Sequence, residues 1–422
     1  MSAPSLASSA TNPPYPLSGI TVLDLSHVYN GPYAAFLMAL AGATVIKIEP
    51  LHGEHLRSRG DLGGADLPFA MLNSNKQPVT LNLKSEKGRD LFRELVARAD
   101  ILVENFAPGV MDRLGVGAAE LHKINPRLIY GSSSGYGKDG PYRDYPAMDL
   151  VMQAMSGIIN STGFPDQPPV KSGAAVCDFS AGVHLYGAIM TALFERERTG
   201  QGRVVEVAMQ DAIYASLASN YGMVHARGAA APDRTGNRHG GLGIAPYNVY
   251  ATSDGYVVLN CPGDHHFRGV LDVMGRPELK EDPRFGSRSS RVVNFAAVDE
   301  LIENWTKTLT KDDVAQRMLA AAVPCAPVRT LLEVMNDKNM HARGSLQWID
   351  HPKLGRVALP HSPLVFEGTG RRPLEPSLPL GASNDAVFGE WLGHTPEELA
   401  AYKAAGVIGY GEEELAANIQ SE

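Results

Sequence analysis

One acidic side chain, Asp178, is placed to do covalent chemistry. It stands in Ala174-Ala175-Val176-Cys177-Asp178-Phe179-Ser180, immediately before a long helical run from Phe179 to Arg198. Two compatible readings are open at such a position. One is an N-cap carboxylate that accepts free backbone N–H groups. The other is a nucleophile that the helix field keeps ionised, with nearby N–H groups holding an oxyanion. Its attack on a thioester would give a mixed anhydride and divide one hard exchange into easier steps. Cys177 follows three small apolar residues and reads as a buried, inert thiol.

The other polar groups of interest follow strand-like runs. His27, Tyr29 and Asn30 come after Ile20–Leu25 and before Gly31-Pro32, either as a plain strand-to-helix loop capped by Asn30 or as part of a site. Val103 to Gly109 with Arg113 combines a turn, a ring for base stacking at Phe106 and a guanidinium for phosphate. His52, His55, Arg57 and Arg59 follow a second strand and suit a dicarboxylate, although a solvated loop explains them equally. No Walker A pattern and no GxGxxG follows a strand, so a nucleoside triphosphate or dinucleotide site is not expected. Gly240-Gly241-Leu242-Gly243 follows no clear strand and reads as a loop.

The elements that must position these groups alternate. Strands are expected at Ile20–Leu25, Ala43–Ile48, Ile101–Val103, Arg127–Tyr130 and Arg203–Val207. Between them lie helices near Gly31–Ala41, Ser85–Ala99, Val110–Ile124 and Phe179–Arg198, the last stopped by Thr199-Gly200-Gln201-Gly202. That rhythm predicts an α/β fold with a parallel sheet whose ligands sit beyond the carboxyl ends of the strands. A helix over Gln210–Val224 precedes a Gly/Ala/Arg/His-rich boundary at 226–243. Beyond it, Tyr247–Ala251 and Tyr256–Asn260 flank Ser253-Asp254-Gly255 as a hairpin, with helices to Ala322, giving a smaller α+β domain. The expected division is a disordered tail at 1–17, a large domain at 18–226, a small one at 227–343, and a C-terminal return at 344–422.

Composition bounds the function. The 422 residues carry a formal charge of −8, which argues against a nucleic-acid partner. Three scattered cysteines suggest reduced thiols and a cytoplasmic location. No stretch reads as a membrane span, so no membrane partner is expected.

Read in order, LSGITVLDLSHVYNGP, GATVIKIE, NSNKQPVTLNLK, VENFAPGVMDRLG, NPRLIYGSSSGYG, CDFSAGVHL and TGQGRVVEVAMQDA closely resemble the class III CoA-transferase family. That family includes formyl-CoA:oxalate and carnitine CoA-transferases and the related 2-methylacyl-CoA racemases. The resemblance runs from Leu17 to about Ile408. It implies that Asp178 carries the covalent intermediates, with acyl-CoA and a carboxylic acid as substrates and no metal or permanently bound cofactor. It implies a CoA site at His27, Val28, Tyr29, Asn30, Leu81, Asn82, Leu83, Lys84, Asn105, Phe106, Arg113 and Tyr136. Tyr29 and Asn30 fall near the thiol end. Asp149, Gly241 and Gly243 are candidates to orient substrate; Asp149 also reads as a cap for a helix starting at Leu150. Pro50 departs from the family, where an arginine often meets phosphate, leaving Lys47, Arg57 or Arg59 to compensate. The resemblance further implies a Rossmann-like large domain whose sheet is built from both chain ends, and an interlocked homodimer. Succinyl-CoA is the expected donor. The rival is racemisation, for which relatives pair the aspartate with His-Asp; this chain has Met148-Asp149, and a thioether cannot shuttle a proton. A non-catalytic acyl-CoA-binding protein is the third reading, against which the retained Asp178 counts.

Overall fold

The computed structural model describes residues 14–57 and 66–411. Residues 1–13 of the expected tail lie outside that range, as does Arg59. Leu17, at the end of that tail, is instead buried, and its N–H donates to Ala41 O at 2.9 Å.

The described chain forms two compact units: Met1–Met152 with Ala175–Ile213 and Asp337–Glu422, and Gln153–Ala174 with Tyr214–Asn336. The change of unit therefore comes at 213/214 instead of 226/227, and the second unit also takes the excursion before the long helix.

The first unit begins with β1 (Thr21–Asp24), α1 (Asn30–Leu40), β2 (Thr44–Glu49), α2 (Asp66–Asn73), β3 (Lys76–Thr80), α3 (Glu86–Arg98), β4 (Ile101–Glu104) and β5 (Ile129–Ser134). It continues through α4 (Asp149–Met155), α5 (Val176–Thr199) and β6 (Val204–Ala208). The six strands pair in parallel in the order β3-β2-β1-β4-β5-β6, the doubly wound arrangement. Alternate residues feed two cores. Leu23, Ile46, Leu102 and Tyr130 pack with Leu91, Phe92 and Leu95 of α3. Val22, Val45, Ile101 and Ile129 pack with Ala34, Ala35 and Met38 of α1 and Leu185 and Ile189 of α5. Ser85 caps α3 by accepting the Gly88 N–H at 3.0 Å.

At 24 residues, α5 is long and apolar enough by composition to cross a membrane, with a mean hydropathy of 1.3 over its most apolar stretch. That overturns the expectation that no segment qualifies. In the first unit Leu185, Ile189 and Ala192 face the sheet and α1, Val183 and Phe194 are exposed, and the helix also carries buried Asp178 and Arg196, the latter paired with Asp100 at 2.9 Å.

The second unit pairs β7 (Tyr247–Ala251), β8 (Tyr256–Asn260) and β9 (Cys325–Pro327) in an antiparallel sheet. Tyr250, Val257 and Leu259 form its core with Phe267 and Val270 of α6 (Asp264–Val273), Ile302 of α7 (Phe295–Thr306) and Met318 of α8 (Lys311–Ala320).

Among the described residues the C-terminal part adds no strand to the parallel sheet, which corrects the expectation of a sheet drawn from both chain ends. Its strands β10 (Leu346–His351) and β11 (Gly355–Pro360) form their own hairpin. The remainder covers one face of the sheet, contributing Val387, Phe388, Leu399, Val407 and Ile408 to its core. It is also stitched to the end of β3: Asn384 Oδ1 accepts the Thr80 N–H at 3.0 Å, and the Asn82 N–H donates to Val407 O at 2.9 Å.

Candidate active site

The carboxyl ends of β1 to β4 open onto a cavity of about 770 Å³. This is the point where the strand order departs in both directions from the centre of the sheet. His27 and Val28 enter its wall after β1, residues 50–55 after β2, Leu81 to Lys84 after β3, and Phe106 after β4. Tyr29, Asn30, Asn105, Arg113 and Tyr136, expected beside them, are not in that wall. Tyr29 points toward α5, and buried Asn30 donates from Nδ2 to Ser133 Oγ at 2.9 Å. Arg113 is exposed, and Tyr136 packs edge-on against Tyr142 and Tyr145.

Asn105 acts one step behind the wall. It accepts the His27 N–H at 2.9 Å and donates to His27 O at 2.8 Å, which fixes the strap after β1. Val28 then turns into the left-handed region at φ 65°, unusual for a β-branched residue, and donates its N–H to Glu54 Oε2 at 3.3 Å. Gly31 lets the strap double back, because a Cβ there would come within 2.3 Å of the Ser26 Cβ. Burial, then the charges of Lys47 and His55, pull the His27 imidazole down to about 4. It is therefore neutral at pH 7.

A buried charge cluster supports the strap. Lys76 Nζ donates to Asp24 Oδ2 at 2.8 Å and to Pro32 O at 3.0 Å, while Lys47 donates to Ser26 O and lies 3.8 Å from Asp24. Lys76→Met should lower folding stability by about 3–5 kcal/mol, because it removes Asp24's closest counter-charge in the interior. A denaturant midpoint unchanged from wild type would contradict this.

Asp178 is the third residue of α5, three positions further in than the sequence suggested. It does not cap the helix. Asp149, at the start of α4, does so from a distant part of the chain: its Oδ1 accepts the N–H groups of Cys177 at 2.9 Å and Asp178 at 3.1 Å. Those two donors are thus occupied and do not serve as an oxyanion hole. That Asp149 oxygen is likewise engaged, so Asp149 caps α5 while standing at the start of α4. The Asp178 carboxylate is 8% exposed and accepts no hydrogen bond among the described residues. Burial, with the like charge of Asp149, pushes it up to about 7, against the ionising helix field first expected. Aromatic rings pack on the next residue, Phe179. Tyr29 stacks on Phe179 at 5.8 Å and Tyr33 meets the same ring edge-on at 5.0 Å. Gly182 permits this approach, since a Cβ there would lie 2.6 Å from Asn30 O.

Pro50 does line the cavity, but two of the expected compensating cations, Lys47 and Arg57, are engaged elsewhere. Lys47 is buried in the cluster described above. Arg57 makes a two-pronged contact with Glu49, at 2.7 and 2.9 Å, and lies over the Phe69 ring. Lys84, His52 and His55 are the basic residues of the wall. Gly241 and Gly243 belong to the second unit. There the Gly241 N–H donates to His239 Nδ1 at 3.2 Å, and Gly241 borders a separate cavity of about 390 Å³ with Ser219, Arg227 and His239. Sequence reasoning missed Glu49 and Glu54 in the main cavity, although Glu49 ends β2 and Glu54 follows it, where the strand-end rule directs attention.

The family model for CoA-transferase family III matches residues 17–384. The chain belongs to CoA-transferase family III. This makes it an enzyme of the class that moves coenzyme A between acids. It is 38% identical over 413 residues to the formyl-CoA:oxalate CoA-transferase of Streptomyces coelicolor, covering 93% of this chain and 99% of that one. It is 42% identical over 375 residues to the acetyl-CoA:oxalate CoA-transferase of Acetobacter aceti, covering 87% and 94%. Among solved structures, a CAIB/BAIF family protein from Brucella suis matches with a TM-score of 0.78 at 35% identity, covering 90% of this family III chain and all of that one.

Proposed function

We propose that this enzyme transfers CoA from a short acyl-CoA to oxalate or a similar small carboxylate, with Asp178 as covalent carrier. The observation that carries the proposal is the Asp178 carboxylate itself, buried, unbonded and raised to about 7 at the start of α5. A carboxylate held in that way is more basic and less solvated than one in water, and both properties favour attack on a thioester carbonyl.

The sequence of steps balances without a further reactant. An Asp178 oxygen bonds to the donor acyl carbon and CoA leaves as thiolate, giving a mixed anhydride. The thiolate attacks the aspartyl carbonyl, forming an aspartyl-CoA thioester and freeing the donor acid. The acceptor carboxylate attacks that thioester and expels thiolate again. Thiolate then takes the acceptor acyl group, and Asp178 returns as carboxylate. The relatives' named donors, formyl-CoA and acetyl-CoA, join the expected succinyl-CoA as candidates, and the acceptor named in both is oxalate.

Met148 lines the main cavity and offers no proton, which weighs against racemisation. Exchange of a donor α-proton with deuterated water at the rate of turnover would reverse that preference. Homodimerisation, implied by the resemblance, is part of the same proposal, and sizing of the full chain tests it. The direct test of the covalent route is hydroxylamine. Incubation with donor acyl-CoA is expected to inactivate the enzyme and convert Asp178 to its hydroxamate, read by peptide mass. Full activity and an unmodified Asp178 peptide after many turnovers would sink the covalent proposal.

A further inference from the structure

We infer that Glu54 is a ligand-binding residue of the main cavity: one carboxylate oxygen fixes the strap at Val28, and the other accepts an amide N–H from the pantetheine arm of CoA. The inference rests on the proposed transfer of CoA and on the CoA site expected at His27, Val28, Leu81 to Lys84 and Phe106, which line this cavity.

Glu54 is 5% exposed and stands in the cavity wall. Its backbone is fixed, because its own N–H donates to Glu49 Oε2 at 3.0 Å. Oε2 accepts the Val28 N–H, whereas Oε1 is buried with no hydrogen-bond partner among the described residues. Leaving a buried carboxylate oxygen unpaired is unfavourable, so it calls for a donor that arrives with the ligand.

The surrounding cations do not supply that donor. Lys76 gives its hydrogen bonds to Asp24 and Pro32 O, Lys47 gives one to Ser26 O, and Arg57 serves Glu49 and Leu378 O. Three cations therefore stand among the carboxylates Asp24, Glu49 and Glu54, and none of them donates to Oε1. The chemistry of CoA then selects the partner. Its phosphates are acceptors and would be repelled by Glu54, whereas its pantetheine arm carries two amide N–H groups between apolar methylene and methyl groups. The wall beside Glu54, with Leu25, Ile48 and Leu51, suits that arm.

The test uses the full-length protein and calorimetry with CoA, with two CoA analogues in which one or other amide is replaced by an ester, and with a deaminated-adenine analogue. Glu54→Gln retains an acceptor for Val28 and turns an N–H toward the ligand. It should weaken CoA binding by about ten- to a hundredfold, and raise KM for acyl-CoA with kcat changed less than twofold. Wild type should bind one ester analogue correspondingly less well, and Glu54→Gln should not discriminate against it further. Wild-type affinity for CoA in Glu54→Gln overturns the inference, as does a Glu54 effect that follows the adenine amine. Should that variant fail to fold, wild type binding both ester analogues as tightly as CoA gives the same negative answer. A protein that binds CoA without any Glu54 effect defeats this inference alone; one that binds no CoA defeats the transferase reading.

Discussion

Asp178→Asn is expected to abolish CoA transfer while making the folded protein more stable above pH 7. The catalytic loss follows from removing the atom that bonds to acyl carbon. A neutral amide is not a competent nucleophile, and loss of a covalent carrier typically costs about four orders of magnitude or more. The stability gain follows from the sign of the shift. The Asp178 carboxyl is raised to about 7 in the folded protein from an ordinary value of 3.8, so the folded state holds its proton more tightly than the unfolded state. The native protein therefore pays nothing for Asp178 below pH 4, loses stability as pH rises from 4 to 7, and carries the full penalty above that. A three-unit shift corresponds to an upper bound of about 4 kcal/mol at pH 8, which Asn at the same position relieves. Denaturant melts of both proteins at pH 4 and pH 8 check this, alongside transfer assays. Asp178→Asn should be equal to wild type at the low pH and more stable at the high one. Near-normal turnover would end the nucleophile assignment, and a variant less stable at pH 8 would contradict the buried, strained carboxylate.

How far the sequence foretold this site depends on the range of the interactions involved. Local patterns carried through. The hairpin strands at Tyr247–Ala251 and Tyr256–Asn260 stand where the Ser253-Asp254-Gly255 turn required, and the helix expected to open at Ser85 does begin there, with Ser85 as its cap. Strand β3 was not legible, because Pro78 and the polar residues around it hide the pattern. As an edge strand, β3 tolerates that proline, which would be excluded from the middle of the sheet. Asp178 was found by type and resemblance, but its surroundings were not. Its cap arrives from Asp149, nearly thirty residues earlier, and the sequence next to a helix start says nothing about such a partner. The same holds for the cations near Pro50. Lys47 and Arg57 have the right charge and lie close in sequence, yet Asp24 and Glu49 engage them in the fold. Charge is readable from a sequence, whereas its neutralisation by a distant carboxylate is a property of the sheet that brings them together.

Asp149→Asn separates the two things that Asp149 does to Asp178. An asparagine keeps a side-chain oxygen able to accept the Cys177 and Asp178 N–H groups, so α5 should still begin in place. It removes the negative charge, which together with burial holds the Asp178 carboxyl at about 7. Among the described residues, Asp149 is the charged group that bears on Asp178. In wild type, kcat/KM should fall about tenfold per pH unit below 7 and level off above it, because the free enzyme must present a carboxylate. In Asp149→Asn the midpoint of that acid limb should move to lower pH, since a like charge nearby raises a carboxyl and its removal lowers one. Burial, the larger cause, remains, so the midpoint should stay above the ordinary 3.8. The plateau rate should drop at the same time, because a less basic oxygen is a weaker nucleophile. A variant that is faster than wild type at pH 5.5 and slower at pH 8 has both signatures. If only thermal stability changes and the acid limb stays where it was, Asp149 is a helix cap with no hold over the reactivity of Asp178.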